Sequence, residues 1–423
     1  CLIVVVVIIA SSFRRGVDVL SPGRVFSLAW AVSFGLAELK LSMFQHQWSA
    51  YGWLILLLGV GAFLLGIFVV FVYYLGTPVL AISQIRHRLQ RDVRSSVNPS
   101  TFFNVIVILF ILYAIAYAVE VAVMGNVPLF ASNPEKARVS FGMFGIHLFV
   151  TSMLTIMIFS VEYVLFMPRD RSRRVAVVLI FLVTALSFFL LLQRYSFATW
   201  ALLALGLAYY GSRRVRMRNL LIAFAVIVTL LIVIQNLRTV LYVEQYVYVV
   251  SKMKYAREYA VFTEPYMYFV MNLENVARGV EKLEHFYYGY FTFDWLVALT
   301  GLKHWIGEYF AIDRLPFLNS GFNTFAFQWW SYYDFGPGGV AVISLLLGMG
   351  IGFAYSRLRT NPTIGSLYLY AIGFVFVATS FRENLFTRLD IVSNLGLIWF
   401  VHRYLLSKRS VRGGMSLQEV SQE

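Results

Sequence analysis

Apolar runs of about 18 residues or more, long enough to cross a bilayer, recur along nearly the whole chain and are separated by short polar, arginine-rich segments. The pattern predicts an all-α polytopic membrane protein of about 11 transmembrane helices, the first of them truncated. Full spans are expected near residues 25–39, 51–75, 101–124, 143–167, 175–192, 196–210, 220–237, 340–355, 364–381 and 391–406. The opening run CLIVVVVIIA is too short to span, so the natural chain is expected to begin upstream. Between residues 238 and 339 no clean spanning run occurs, and tyrosine and phenylalanine alternate with glutamate and arginine. That texture fits amphipathic helices lying at an interface, with aromatic rings at headgroup level. It fits equally a cap folded over a cavity. The expected division is a transmembrane bundle of about eight spans over residues 1–237, an outer-face segment over 238–339, transmembrane helices over 340–407 and a cytoplasmic tail over 408–423.

Composition agrees with lipid as the main solvent: 60% of the residues are apolar and only 13% charged, against roughly 25% charged in a soluble domain. A net charge of +14 raises the question of nucleic acid, but its distribution argues otherwise. The basic residues cluster between apolar runs, as in Arg86, Arg88, Arg91 and Arg94, or Arg213, Arg214, Arg216 and Arg218. With those clusters inside, the topology is self-consistent, and no basic face with interleaved aromatics offers a nucleic-acid site. The lone cysteine, Cys1, excludes a disulfide framework and a cysteine-based metal site. No Walker A loop, HExxH, GxSxG or aspartate-rich loop occurs. No metal and no cofactor are expected.

On this topology several arginines fall on the outer side, where positive-inside statistics disfavour them. Arg194 sits in a three-residue turn between two apolar runs, Arg238 follows another, and Arg382 and Arg388 flank the last outer turn, FRENLFTRLD. A guanidinium is a planar, permanently charged fork suited to phosphate oxygens. The bland alternative is snorkelling, or pairing with Glu383 or Asp390. Candidate proton acceptors are Asp334 in YYDFG, Glu383, and the isolated Asp294, Glu308 and His304. For Asp334 the other available role is a cap on the helix that follows, and the sequence leans towards the cap. Trp329, Trp330, Tyr332, Tyr333 and Phe335 fall too close together to share one helix face. Some therefore face lipid and some a cavity. Aromatic faces in an outer cavity suit the apolar faces of sugars, and an interfacial aromatic belt is the alternative.

The stretch NTFAFQWWSYYDFGPGGVAVISLLLGMGIG, Asn323 to Gly352, resembles the oligosaccharide repeat unit polymerases, the Wzy-type O-antigen and capsule polymerases of bacteria. SPGRVFSLAW, GNVPLF, LQRYSFATWALL and FRENLFTRLD support the resemblance in the family's order. It implies a GT-C-like, metal-independent glycosyltransferase of the bacterial inner membrane with its active site outside. The growing glycan would pass from undecaprenyl pyrophosphate to the non-reducing end of a new lipid-linked repeat unit, and a chain-length regulator would be a partner protein. Pyrophosphate contacts would come from Arg194, Arg238 and Arg382, with Arg278 in reserve. The base would be Asp334 or Glu383, and glycan contacts would come from Asn323, Thr324, Tyr333, Trp330 and Tyr268. An O-antigen ligase shares the donor. A flippase for lipid-linked oligosaccharide is the alternative of a different class, although no internal repeat marks the chain as a transporter.

Overall fold

Helix boundaries fall where the chain carries caps and breakers. In the computed structural model, α1 (Leu2–Ser12), α2 (Pro22–Ala37) and α3 (Ala50–Tyr73) come first, and Ser49 caps α3 by accepting from the Gly52 amide at 3.1 Å. Next come α4 (Ile82–Ser96) and α5 (Pro99–Met124). Asn98 Oδ1 accepts from the Ser100 and Thr101 amides to open α5, and Gly125, in the left-handed region at φ +73°, ends it. Then follow α6 (Pro134–Ser140), α7 (Ile146–Thr151), α8 (Met153–Phe166), α9 (Arg171–Leu190) and α10 (Arg194–Gly211). The remaining helices are α11 (Val243–Val250), α12 (Thr263–Gly279), α13 (Asp294–Leu299), α14 (Trp329–Thr360), α15 (Ile364–Thr379) and α16 (Leu389–Glu419). The structure describes residues 1–423 apart from 15, 169, 213–221, 223, 224, 227, 228, 230–242, 284, 303, 304, 307–321 and 420–423. Among the described residues all regular structure is helical except one antiparallel bridge between Ser42 and Met253.

Among the described residues five stretches are long and apolar enough to cross a membrane: Ala50–Tyr73, Pro99–Phe130, Ile146–Phe166, Arg171–Leu190 and Trp329–Thr360. Their outward faces carry large apolar side chains with no protein cover, such as Leu57, Phe68, Ile111 and Leu182, as a helical membrane protein requires. Helices α2 and α15 stand where spans were expected but have 16 residues each, short of the roughly 20 that cross a hydrocarbon core. The span expected at residues 220–237 lies largely outside the described residues.

The chain forms two compact units. The first comprises Cys1–Val79, Tyr242–Thr360 and Ile372–Val392, and the second Leu80–Leu241, Asn361–Ala371 and Ser393–Glu423. In the first unit α12, expected at an interface or in a cap, is instead a core helix. Its residues from Val270 to Ala277 are all buried.

The first unit is organised by glycine. Gly52, Gly59 and Gly66 recur every seventh residue of α3 and so share one face with a slow drift. A methyl group on Gly52 would fall 2.8 Å from the Ala277 carbonyl oxygen of α12, and one on Gly66 2.2 Å from the Leu345 carbonyl oxygen of α14. The approach is mutual, because a methyl on Gly348 would fall 2.1 Å from the Phe63 carbonyl oxygen. Helix α14 bends at Gly336 (φ +65°, ψ −156°), and Pro337 restarts it. In the second unit Asn394 of α16 accepts from the Thr155 amide and hydroxyl and donates to the Thr151 carbonyl at 3.1 Å. It thereby closes the break between α7 and α8.

Gly348→Ala should therefore lower stability by about 1–3 kcal/mol through overpacking. Gly61→Ala on α3, where a methyl meets nothing within 4 Å, should melt at or slightly above wild type. Thermal unfolding in detergent compares the two, and equal melting temperatures would contradict the close-approach reading.

Candidate functional site

Ser380, at the end of α15, gathers three sequence motifs that lie far apart in the chain. The Trp30 indole nitrogen donates to its hydroxyl at 3.0 Å, and the Phe327 amide donates to its carbonyl at 2.9 Å. Trp30 closes SPGRVFSLAW, Phe327 lies in NTFAFQWW, and Ser380 immediately precedes FRENLFTRLD. Phe26 stacks on Phe63 at 4.1 Å, and Phe327 meets Phe26, Trp30, Phe63 and Phe376 edge-on. Aromatic rings at these separations fix the three segments as one rigid body.

The segment from Phe322 to Phe327 is strapped onto α12. The Asn275 amide group donates to the carbonyls of Phe322 and Thr324 at 2.8 Å each, and the Thr324 hydroxyl donates to Asn272 Oδ1. Thr324 thus spends its hydroxyl on the strap. Asn323 points its side chain outward and is exposed. Tyr268, half-buried on the same helix, meets the Phe322 ring edge-on at 6.3 Å. Beside the strap, Gln328 is fully buried, and among the described residues neither atom of its amide has a hydrogen-bond partner.

Asp334 is fully buried in the first turns of α14. It does not cap the helix that restarts after Gly336. Its carboxylate accepts from the Phe291 amide at 3.2 Å and the Thr292 amide at 2.5 Å, while its carbonyl accepts from the Tyr288 amide at 3.1 Å. Asp334 is therefore the anchor of the 287–292 turn. Both carboxylate oxygens are engaged, so the geometry favours anchoring over proton abstraction.

The aromatics divide by burial. Tyr333 is buried and stacks on Trp329 at 5.2 Å and on Tyr287 at 4.6 Å, so it is a core ring and not an open sugar platform. Trp330 is half-buried and stacks on Phe291 at 5.1 Å. Of the five neighbouring aromatics only Phe335 is exposed.

The charges of the last turn are balanced. Arg382 and Arg388 bond Glu383 at 2.9 and 3.2 Å, and Arg388 also forks onto Asp390 at 2.6 and 3.0 Å. Glu383, held between two guanidiniums, is an ion-pair partner here. Arg278, in the last turn of α12, is half-buried and makes no ion pair among the described residues. Asp294 opens α13. Arg238, His304 and Glu308 lie outside the described residues.

In the second unit the remaining two motifs meet each other. Leu129 of GNVPLF packs with Leu192, Phe197 and Trp200 of LQRYSFATWALL. Arg194 is the first residue of α10, and its side chain lies outside the described residues.

Sequence reasoning missed the carboxylates inside apolar helices. Glu274 is fully buried, accepts from Lys40 at 2.8 Å and faces Gln45; Lys40 also lies 4.2 Å from the Trp48 ring centre. Tyr266 donates to the same Gln45 at 2.6 Å, and burial pushes its phenol up to about 12, so it remains a donor at neutral pH. Glu162 accepts from Tyr368, with His402 3.5 Å away. Glu120 is paired with His147. A lone acid within an apolar run was the available signal.

No family model, curated protein or solved structure matches the chain.

Asp334→Asn should cost about 1.5–3 kcal/mol, the scale of hydrogen bonds to a charged group. It should also speed hydrogen exchange at the Thr292 amide. Wild-type melting and exchange would remove the anchoring role.

Proposed function

We propose that this protein polymerises lipid-linked oligosaccharide repeat units at the outer face of a bacterial inner membrane. The growing glycan leaves undecaprenyl pyrophosphate and joins the non-reducing end of a new lipid-linked unit. The observation that carries this reading is the gathering of motifs. Segments that resemble the polymerase family come together in space, three at Ser380 and two around Leu192 and Phe197. Residues assembled from distant parts of a chain into rigid clusters are what a shared site requires.

Pyrophosphate is a dianion or more, and its departure needs fixed positive charge where negative charge develops. In the first unit Arg382 is the proposed contact, with Arg278, which makes no ion pair among the described residues, as a second cation; for Arg194, in the second unit, the role rests on the family resemblance alone. Arg382 would engage the pyrophosphate at the cost of its 2.9 Å bond to Glu383. Asn323, exposed on a rigid strap, and the half-buried Tyr268 and Trp330 offer contacts to sugar. The GT-C-like architecture and a chain-length regulator as partner belong to the same proposal.

A deletion strain is expected to display glycan one repeat long in place of a ladder. Loss of all surface glycan would favour a ligase or a flippase. Arg194→Ala and Arg382→Ala should insert at normal levels and lose polymer by about 100-fold, the scale of losing one preorganised charge contact. Wild-type ladders from both would defeat the pyrophosphate role.

A further inference from the structure

Glu120 is the single charged residue of α5 and stands one turn before its end. It is fully buried, and an acid in such a helix is costly unless satisfied. Its Oε1 accepts from the Met143 amide at 3.0 Å, and Oε1 and Oε2 lie 3.2 and 3.0 Å from His147 Nδ1. The carboxylate thus holds Nδ1 as the protonated nitrogen, which leaves the Nε2 lone pair as the acceptor. Among the described residues nothing bonds Nε2, and the ring is 29% exposed.

The backbone holds the ring in this attitude. Gly142 adopts φ +130° and packs so closely that a methyl there would fall 2.9 Å from the His147 ring. Gly145, at φ +78°, starts α7 one residue before Ile146. Phe141 meets the ring edge-on at 6.4 Å. A side chain tying a loop to a helix needs neither an open nitrogen nor a backbone built against its ring.

The surroundings suit a substrate delivered from lipid. Phe130, Val139 and Phe144 are exposed along the segment that links α5 to α7, Phe149 is exposed on α7, and Lys136 is exposed on α6. Apolar rings with interspersed cations seat a surface at the lipid–water boundary and attract anionic lipid heads. The same end of the second unit carries the Leu129, Leu192 and Phe197 cluster, and so the start of α10.

We propose that His147, positioned by Glu120, is the general base that takes the proton from the acceptor sugar hydroxyl. The inference rests on the polymerase reading. As the hydroxyl oxygen bonds to the donor's anomeric carbon, its proton passes to Nε2. The bond from that carbon to the pyrophosphate oxygen breaks, and its electron pair leaves with the undecaprenyl pyrophosphate. The imidazolium formed is neutralised by the Glu120 carboxylate, and its proton then returns to solvent. Asp334 and Glu383 are poorer bases, since the one is engaged by the 287–292 turn and the other by two arginines.

The test uses the full-length protein in membranes with lipid-linked repeat units as substrate. His147→Asn places an amide donor close to the Nδ1 position, keeping the link to Glu120 while removing the base. It should insert and melt like wild type yet lose polymer formation by about 100-fold or more, the scale of general base catalysis. On wild-type protein, diethylpyrocarbonate should abolish polymer formation in proportion to carbethoxylation of His147 followed by mass spectrometry, and hydroxylamine should restore it. Wild-type activity in His147→Asn, or after full modification of His147, overturns the proposal and leaves the polymerase reading standing. Wild-type protein that forms no polymer overturns that reading, and the proposal with it.

Discussion

The contact between Gly66 of α3 and Gly348 of α14 sets the geometry of the first unit. Each glycine lies against the other helix's backbone, with hypothetical methyls only 2.2 and 2.1 Å from carbonyl oxygens. In a bilayer, lipid is as apolar as leucine, so helices gain little by hiding apolar surface and must pack closely to associate. The seven-residue glycine spacing extends that packing along α3, from Ala277 of α12 to Leu345 of α14. Helix α12 is thereby held in the core, and it in turn carries the strap from Phe322 to Phe327 through Asn272 and Asn275. The position of every candidate sugar contact in this unit follows from how closely the glycines let α3 approach.

Buried charge is the second constraint. Glu120, Glu162, Glu274 and Asp334 are almost wholly removed from solvent, and each has a partner that offsets its desolvation. The partners differ in kind. Asp334 has backbone amides, and Glu274 has a lysine that also sits over Trp48. Both arrangements close on themselves and tie chain segments together. Glu120 differs because its partner, His147, keeps a ring nitrogen towards an open face. The same physics that forces a buried acid to find a partner creates, in that one case, a group able to exchange protons.

Much of the architecture was legible in the sequence because apolar length is a strong signal. Helices occur at the expected positions of α3, α5, α9 and α14, with ends set by Ser49, Asn98 and Gly125. The site was legible only in outline. The pairing of Arg388 with Asp390 was open to view in RLD, but the burial of Tyr333 was not, since adjacent aromatics look alike until their neighbours are known. Asp334 sat where a cap was plausible. Its actual partners, Phe291 and Thr292, lie some forty residues away and no local pattern connects them. Glu120 and Glu162 were readable as acids inside apolar helices.

The central claim is that glycan is transferred from a lipid pyrophosphate to lengthen another lipid-linked glycan. Purified protein reconstituted in vesicles with undecaprenyl pyrophosphate-linked repeat units tests it directly. The account predicts release of one undecaprenyl pyrophosphate for each repeat added, with glycan length rising in whole-repeat steps. Vesicles that release no undecaprenyl pyrophosphate, or release it without any glycan longer than one repeat, would contradict it.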